Sequence, residues 1–208
     1  MLRKSKIIVI SGPTAVGKTK IGSYIAEELN SEIISVDSRQ IYRYMDIGTA
    51  KPEKEELIRV KHHFIDIMDP NQRYDAGTFG RSARTVISSL IERGKIPILV
   101  GGSGMYMQAV LDGFYEDTED YSEIRRYLNF RLKNEGKDPL WNELLKLDPV
   151  SHKNLSKNDT QRMLRALEVA IVHRSEVHNL WKRKPHTPLH CVPQVFCLTR
   201  DRKELYSI

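Results

Sequence analysis

The stretch that most constrains this chain is Gly12-Pro13-Thr14-Ala15-Val16-Gly17-Lys18-Thr19, an instance of G-x-x-x-x-G-K-T. It follows an apolar run, Ile7 to Ile10, and precedes apolar residues at helical spacing, Ile21, Tyr24, Ile25 and Leu29. Strand, glycine-rich loop and helix in that order is the context of a phosphate loop. The glycines let successive N–H groups turn inward on anionic oxygens. The helix beginning near Lys18 aims its positive dipole end at the same point. Lys18 adds a mobile cation and Thr19 a hydroxyl suited to Mg²⁺. The eight residues are therefore the candidate site for a diphosphate or polyphosphate.

The rest of the pattern sets the fold class. Buried strands are expected at Glu32–Val36, His62–Ile67 and Ile96–Val100, with Pro97 near the start of its strand, where a missing N–H is tolerated. Helices are expected at Glu53–Val60 and Tyr74–Arg93, the latter from the spacing of Phe79, Ala83, Val86, Ile87, Leu90 and Ile91. This alternation predicts an α/β fold, a parallel sheet flanked by helices. Ligands of such sheets bind at the carboxyl ends of strands. The phosphate loop, Asp37 and Gly101-Gly102-Ser103 all follow strands and should share one crevice. Past Asp117 the sequence turns helical and charged. We read residues 1–117 as the first part of the core, 118–190 as a helical insertion and 191–208 as the return to the core. That return holds a last strand at Val195–Leu198 and a helix starting near Asp201.

Charge follows this division. Of the net +6, a surplus of 5 lies between Asp120 and His190, where 14 Lys/Arg face 9 Asp/Glu. A polyanionic partner or a solvated helical face would both account for it. No run is long enough to cross a bilayer. The basic N-terminal start leads into a core strand and the phosphate loop, so no signal peptide is expected. Cys191 and Cys197 form no pairing or zinc pattern, and a reduced, cytoplasmic, monomeric protein without membrane contact is expected.

Three further stretches carry candidate chemistry. Asp37 could help hold Mg²⁺, act as a general base, or cap a helix. Ser38 and Arg39 follow it, and Gln40 offers a donor and an acceptor suited to a nucleobase edge. Gly101-Gly102-Ser103-Gly104 reads either as a second anion-binding turn or as a strand-to-helix turn requiring positive φ. On a helix capped by Asn158 or Asp159, Gln161 and Arg165 share a face beside Arg162. That face suits nucleic-acid contacts, and a solvated face over buried Leu164 and Leu167 is the plainer alternative.

GPTAVGKT, DSRQIY, IGTAKP, HHFID, GGSGMY and NDTQRMLRALEV, in this order, resemble the tRNA dimethylallyltransferase (tRNA isopentenyltransferase) family from Lys6 to the end of the chain. The resemblance implies transfer of a dimethylallyl group from its diphosphate to N6 of the adenosine 3′ of a tRNA anticodon. It implies that Gly12, Pro13, Thr14, Ala15, Val16, Gly17, Lys18 and Thr19 hold the diphosphate and that Thr19 binds Mg²⁺. Asp37, Ser103 and Lys18 are implied to be catalytic, with Asp37 taking the N6 proton. The tRNA anticodon stem-loop would meet Asp37, Ser38, Arg39, Gln40, Ser103, Arg125, Gln161, Arg162, Met163, Leu164 and Arg165. The target adenine would have to leave the loop stack.

The chain departs from the family pattern in places. Ser103 stands where the family usually has Thr, Arg39 where Met is usual, and His173-Arg174 where Thr-Gly is common. The resemblance also leads us to expect a longer chain, with a further basic and aromatic tRNA-contacting segment after DRKELYSI. Prenyl transfer to free adenine nucleotides, a phosphate-loop small-molecule kinase and a non-catalytic binding remnant are the competing readings.

Overall fold

The computed structural model describes residues 5–114, 119–174, 177 and 187–205. The chain folds into two units, one formed by Met1–Phe114 with Thr187–Ile208, the other by Tyr115–His186.

The first unit is a five-stranded parallel sheet. Its strands are β1 (Lys6–Ser11), β2 (Ile33–Val36), β3 (His62–His63), β4 (Ile98–Gly101) and β5 (Val192–Cys197), in spatial order β3-β2-β4-β1-β5. Helices α1 (Lys18–Glu28), α2 (Lys54–Arg59), α3 (Ala76–Glu92) and α4 (Gly104–Leu111) fill the connections. All four residues of β2 and of β4 are buried, the habit of strands covered on both faces. Ile8, Val9 and Ile10 of β1 pair with Ile98, Leu99 and Val100 of β4. The β4 residues pair in turn with Ile33, Ile34 and Ser35 of β2.

Ile7, Val9, Ile34, Val36 and Leu99 join α3 and α4 residues Phe79, Ala83, Leu90 and Val110 in the larger core. Phe79 stacks on Tyr106 at 4.5 Å and meets Phe64 edge-on at 5.0 Å. Each large apolar side chain, fully buried, contributes about 1.5–3 kcal/mol. On the opposite face Ile10, Ala26, Ile33, Ile98 and Val100 pack together. Asp75 starts α3 as expected of a cap, its carboxylate accepting from the Thr78 N–H at 2.8 Å.

Several strand boundaries differ from the sequence reading. The strand expected at Ile96–Val100 begins at Ile98, so Pro97 lies just before it, its carbonyl accepting the Ile8 N–H at 2.9 Å. The strand expected over His62–Ile67 ends at His63, because Phe64 (φ 66°) and Asp66 (φ 55°) adopt left-handed conformations that turn the chain. The last strand begins earlier than expected, at Val192, and contains Pro193. Pro193 is tolerated because β5 lies at the sheet edge, paired only with β1 among the described residues. The final helix, α9 (Arg202–Leu205), starts where expected.

The second unit is helical: α5 (Ser122–Glu135), α6 (Lys137–Leu147), α7 (Pro149–Asn154) and α8 (Thr160–His173). Its core gathers Tyr121, Leu128, Leu140, Leu144, Met163 and Leu167. The prolines and histidines of Lys182–Pro193 predict a loop returning to the core; its residues 182–186 lie outside the described residues, and Val192 and Pro193 belong to β5. No helix among the described residues is long and apolar enough to cross a membrane.

The amino end of β2 carries a charge cluster. The Glu32 carboxylate, 7 % exposed, meets Arg93 at 2.6 Å, His63 at 2.7 Å, Lys95 at 3.2 Å and Lys61 at 3.6 Å. The Arg93 hydrogen bond, with His63 and Lys95 behind it, outweighs burial and holds this carboxyl far below the usual range. The stability it lends is fully present above the ordinary carboxylate pKa and is lost as pH falls from there through the depressed one. Glu32→Gln should cost about 2–4 kcal/mol at pH 7, because it leaves partly buried cations without their counter-charge. The loss should narrow progressively between about pH 5 and pH 2 in urea unfolding. A pH-independent difference between the two proteins would refute the assignment.

Candidate functional site

Three strand ends converge on one cavity of about 590 Å³. After β1 the chain enters the Gly12–Gly17 loop, and Lys18 opens α1 with Gly17 as its N-terminal cap at φ 97°. Gly12 has φ 143°, and a Cβ there would collide with the Leu198 carbonyl oxygen, just beyond β5. Glycine is therefore required both by conformation and by room. The Lys18 ammonium donates to the carbonyls of Gly12 (3.0 Å) and Pro13 (2.6 Å), folded over its own loop. Burial lowers its pKa, and the charge of Asp37 opposes that shift. Gly12, Pro13, Thr14, Ala15, Gly17, Lys18 and Thr19 all line the cavity. Val16 does not: it is 6 % exposed and belongs to the buried apolar residues, so its part in the loop is that of its backbone.

After β2, Asp37 begins a turn. Its Oδ1 accepts the N–H groups of Arg39 (2.8 Å) and Gln40 (3.3 Å). The capping character read from sequence is thus realised as a side-chain-to-backbone turn. Asp37, Ser38, Arg39 and Gln40 line the cavity from this side. After β4, a Cβ on Gly101 would collide with the Val36 carbonyl oxygen. Gly101 does not have positive φ. The glycine is there for close approach to β2, which corrects the sequence expectation of a positive-φ turn. That approach seats Ser103 beside the Asp37 turn. Its Oγ accepts the Ser38 N–H at 3.0 Å and lies 3.4 Å from the Ser38 hydroxyl, and its own N–H donates to the Val36 carbonyl at 3.2 Å.

Gln40 behaves differently from the sequence expectation. It is 8 % exposed, and its amide is engaged within the protein. The Ser35 hydroxyl donates to its Oε1 (2.8 Å), and its Nε2 donates to the carbonyls of Ala50 (2.7 Å) and Thr49 (3.3 Å). Gln40 thereby ties the Asp37 turn to the segment carrying Gly48, Thr49 and Ala50, which forms a cavity wall. Sequence reasoning missed this wall as part of the site; the IGTAKP motif was its signal.

The remaining candidates belong to the second unit. Gln161, Arg162 and Arg165 are exposed on α8, and Leu164 is half-buried. Met163 is fully buried, so its side chain serves the helical core and has no surface to offer a partner. Buried Glu168 organises the arginines. Arg125 contacts both its oxygens, at 2.8 and 3.0 Å, and Arg165 donates to it at 3.1 Å while its guanidinium lies 4.2 Å over the Tyr121 ring.

Among the described residues no group of three or more His, Cys, Asp or Glu could hold a metal. The donors that line the cavity fit instead a Mg²⁺ ion taken up by one hydroxyl, phosphate oxygens and water, the habit of this ion. Thr19 supplies such a hydroxyl at the cavity.

Comparison with known proteins places the chain among similar sequences and folds. The family model described as IPP transferase matches residues 40–208. The tRNA dimethylallyltransferase of Carboxydothermus hydrogenoformans is 43 % identical over 205 residues, covering 97 % of this chain and 65 % of the relative. That of Thermotoga maritima is 42 % identical over 202 residues, with coverage of 97 % and 65 %. The chain thus spans just under two thirds of the length of these curated relatives. Among solved structures, the full-length tRNA isopentenylpyrophosphate transferase from Bacillus halodurans matches with TM-score 0.60 and 37 % identity, over 99 % of this chain and 63 % of that one. A eukaryotic dimethylallyltransferase acting on tRNA matches with TM-score 0.81 and 26 % identity, over 98 % and 50 %.

Gly101→Ala should disturb the meeting of β2 and β4, because its methyl group would enter the Val36 carbonyl. We expect a loss of about 2 kcal/mol or more in chemical denaturation. Weaker pyrophosphate binding is expected with it, measured by calorimetry. Unchanged stability would show that the two strand ends do not depend on this contact.

Proposed function

The chain belongs to the IPP transferase family, and from that premise we propose that it transfers a dimethylallyl group from dimethylallyl diphosphate to N6 of the adenosine 3′ of a tRNA anticodon. The observation that carries this reading is the shared cavity. A phosphate loop, a carboxylate and a paired serine hydroxyl line one space of about 590 Å³.

Each part has a role on this reading. The N–H groups of Gly12–Gly17 and the ammonium of Lys18 hold the diphosphate. They stabilise the charge that grows on it as its bond to the allylic carbon breaks. Thr19 would hold Mg²⁺, which when bound shares in neutralising the diphosphate. The N6 lone pair of adenine is delocalised into the ring, so the amine is a poor nucleophile. Asp37 accepts its proton as the C–N bond forms. The C–O bond breaks, diphosphate departs and the proton ends on the Asp37 carboxylate. Ser103, hydrogen-bonded to the Ser38 backbone, keeps the Asp37 turn in place from the β4 side. Arg39, exposed and lining the cavity, would meet the acceptor there.

The tRNA would be met by the cations Arg125, Arg162 and Arg165, with Gln161 and Leu164, through phosphate and base contacts. The basic surplus between residues 120 and 190 supports a polymer rather than a free nucleotide as acceptor. A cytoplasmic location goes with this reading.

Asp37→Ala should lower single-turnover transfer to an anticodon stem-loop by at least about 100-fold, while the affinity for inorganic pyrophosphate stays within about threefold. AMP in excess over the stem-loop should compete weakly. Near-normal turnover of the variant would remove Asp37 from the role of base. Preferred transfer to AMP would move the substrate class to free nucleotides.

A further inference from the structure

The cavity wall formed by Gly48, Thr49 and Ala50 is held by a lysine that does not itself line the ligand space. Lys51 is nearly buried, its side chain 7 % exposed. Its ammonium donates to the Asp66 carboxylate at 2.6 Å, the Asp46 carboxylate at 2.7 Å and the Tyr42 carbonyl at 2.8 Å. All three donor positions of the amine are filled. Burial alone would lower the pKa of this amine; the two carboxylates outweigh it and raise it, so the cation is the resident form.

The segments joined by this ammonium are strained. Tyr44 (φ 62°), Ala50 (φ 48°), Phe64 (φ 66°) and Asp66 (φ 55°) all lie in the left-handed region that side chains avoid. Such residues persist only where surrounding contacts over-determine them. Here the contacts are explicit. The Thr49 hydroxyl donates to the Met45 carbonyl at 2.7 Å. The Asp66 N–H donates to the Gln40 carbonyl at 3.1 Å and the Ile67 N–H to the Ile41 carbonyl at 2.9 Å. Gln40 then reaches back to Thr49 and Ala50, and its own N–H meets the Asp37 carboxylate. Lys51 balances two carboxylates that would otherwise face each other across the loop base.

We propose that Lys51 is a positioning residue: by pairing with Asp46 and Asp66 it holds the Met45–Ala50 wall closed, and through Gln40 that wall fixes the Asp37 turn at the acceptor side of the cavity. The consequence for turnover rests on the prenyl-transfer reading above; the clamp itself does not. The bonds of the clamp run among residues 37–51, 66 and 67, none of them in the phosphate loop, so the two halves of the site separate experimentally.

The test compares the wild-type chain with Lys51→Met, and with Asp46→Asn, which removes one exposed leg of the clamp and keeps the others if Lys51→Met fails to fold. Three quantities are read: hydrogen exchange of peptides covering residues 42–51, affinity for inorganic pyrophosphate, and single-turnover transfer to an anticodon stem-loop. Lys51→Met should speed exchange in this segment by at least about tenfold, leave pyrophosphate affinity within about threefold, and cut transfer on the order of 10–100-fold. Asp46→Asn should move the same quantities in the same direction by less. Unchanged exchange in both variants overturns the clamp. So does a parallel loss of pyrophosphate affinity and thermal stability, which would make Lys51 a general core support. If the wild-type chain transfers no prenyl group yet exchange responds as described, the clamp stands and the prenyl-transfer reading falls.

Discussion

The insertion of β4 between β1 and β2 is the constraint on which the rest depends. Parallel pairing aligns Val36 with Gly101 at one junction and Ile10 with Val100 at the other. All three strands therefore release their chains at one edge of the sheet. The approach is so close that a side chain at Gly101 would collide with the Val36 carbonyl, and one at Gly12 with that of Leu198. Backbone curvature at the phosphate loop, the Asp37 turn and the Ser103 start of α4 all follow from this geometry. Fully buried side chains of both faces hold the strands in that register.

Three of the buried charges among the described residues are paired with ionisable side chains, and each serves a different need. At the amino end of β2, Glu32 gathers the cations Arg93, Lys95 and Lys61 and the His63 imidazole of β3. Lys51 gathers two carboxylates at the base of the cavity wall. In the helical unit, Glu168 gathers two arginines. A buried charge with one partner missing is costly, so each cluster pins the elements that supply its partners. For Glu168 this fixes arginines that remain half-exposed, a preorganised cationic surface rather than freely moving side chains.

What can be read from the sequence is local. The phosphate loop announces itself because strand, glycines, lysine and helix are contiguous, and the parallel α/β class follows from the alternation around it. The cap at Asp159 is equally short-range. Features made by residues distant in sequence are misread or missed. The donor and acceptor of Gln40 are legible, but nothing in the sequence around it reveals Ser35 and Ala50 as their partners. His62–Ile67 looks like a full strand because its apolar residues hide the left-handed turns that deliver Asp66 to Lys51. Met163 shares a motif with surface residues, but helical geometry turns it a different way from Arg162 and into the core. The role of Gly101 lies in a contact with a strand far away in sequence, expressed only as steric exclusion.

In the proposed prenyl transfer the phosphate loop grips a leaving group and the nucleotide is the acceptor. Mass spectrometry of an anticodon stem-loop RNA, after incubation with the protein, Mg²⁺ and dimethylallyl diphosphate, tests this most directly. The account predicts a gain of one prenyl group, located by fragmentation on N6 of the adenosine 3′ of the anticodon and dependent on that base. RNA of unchanged mass, with ATP hydrolysed or its phosphate passed to a small molecule instead, would contradict it.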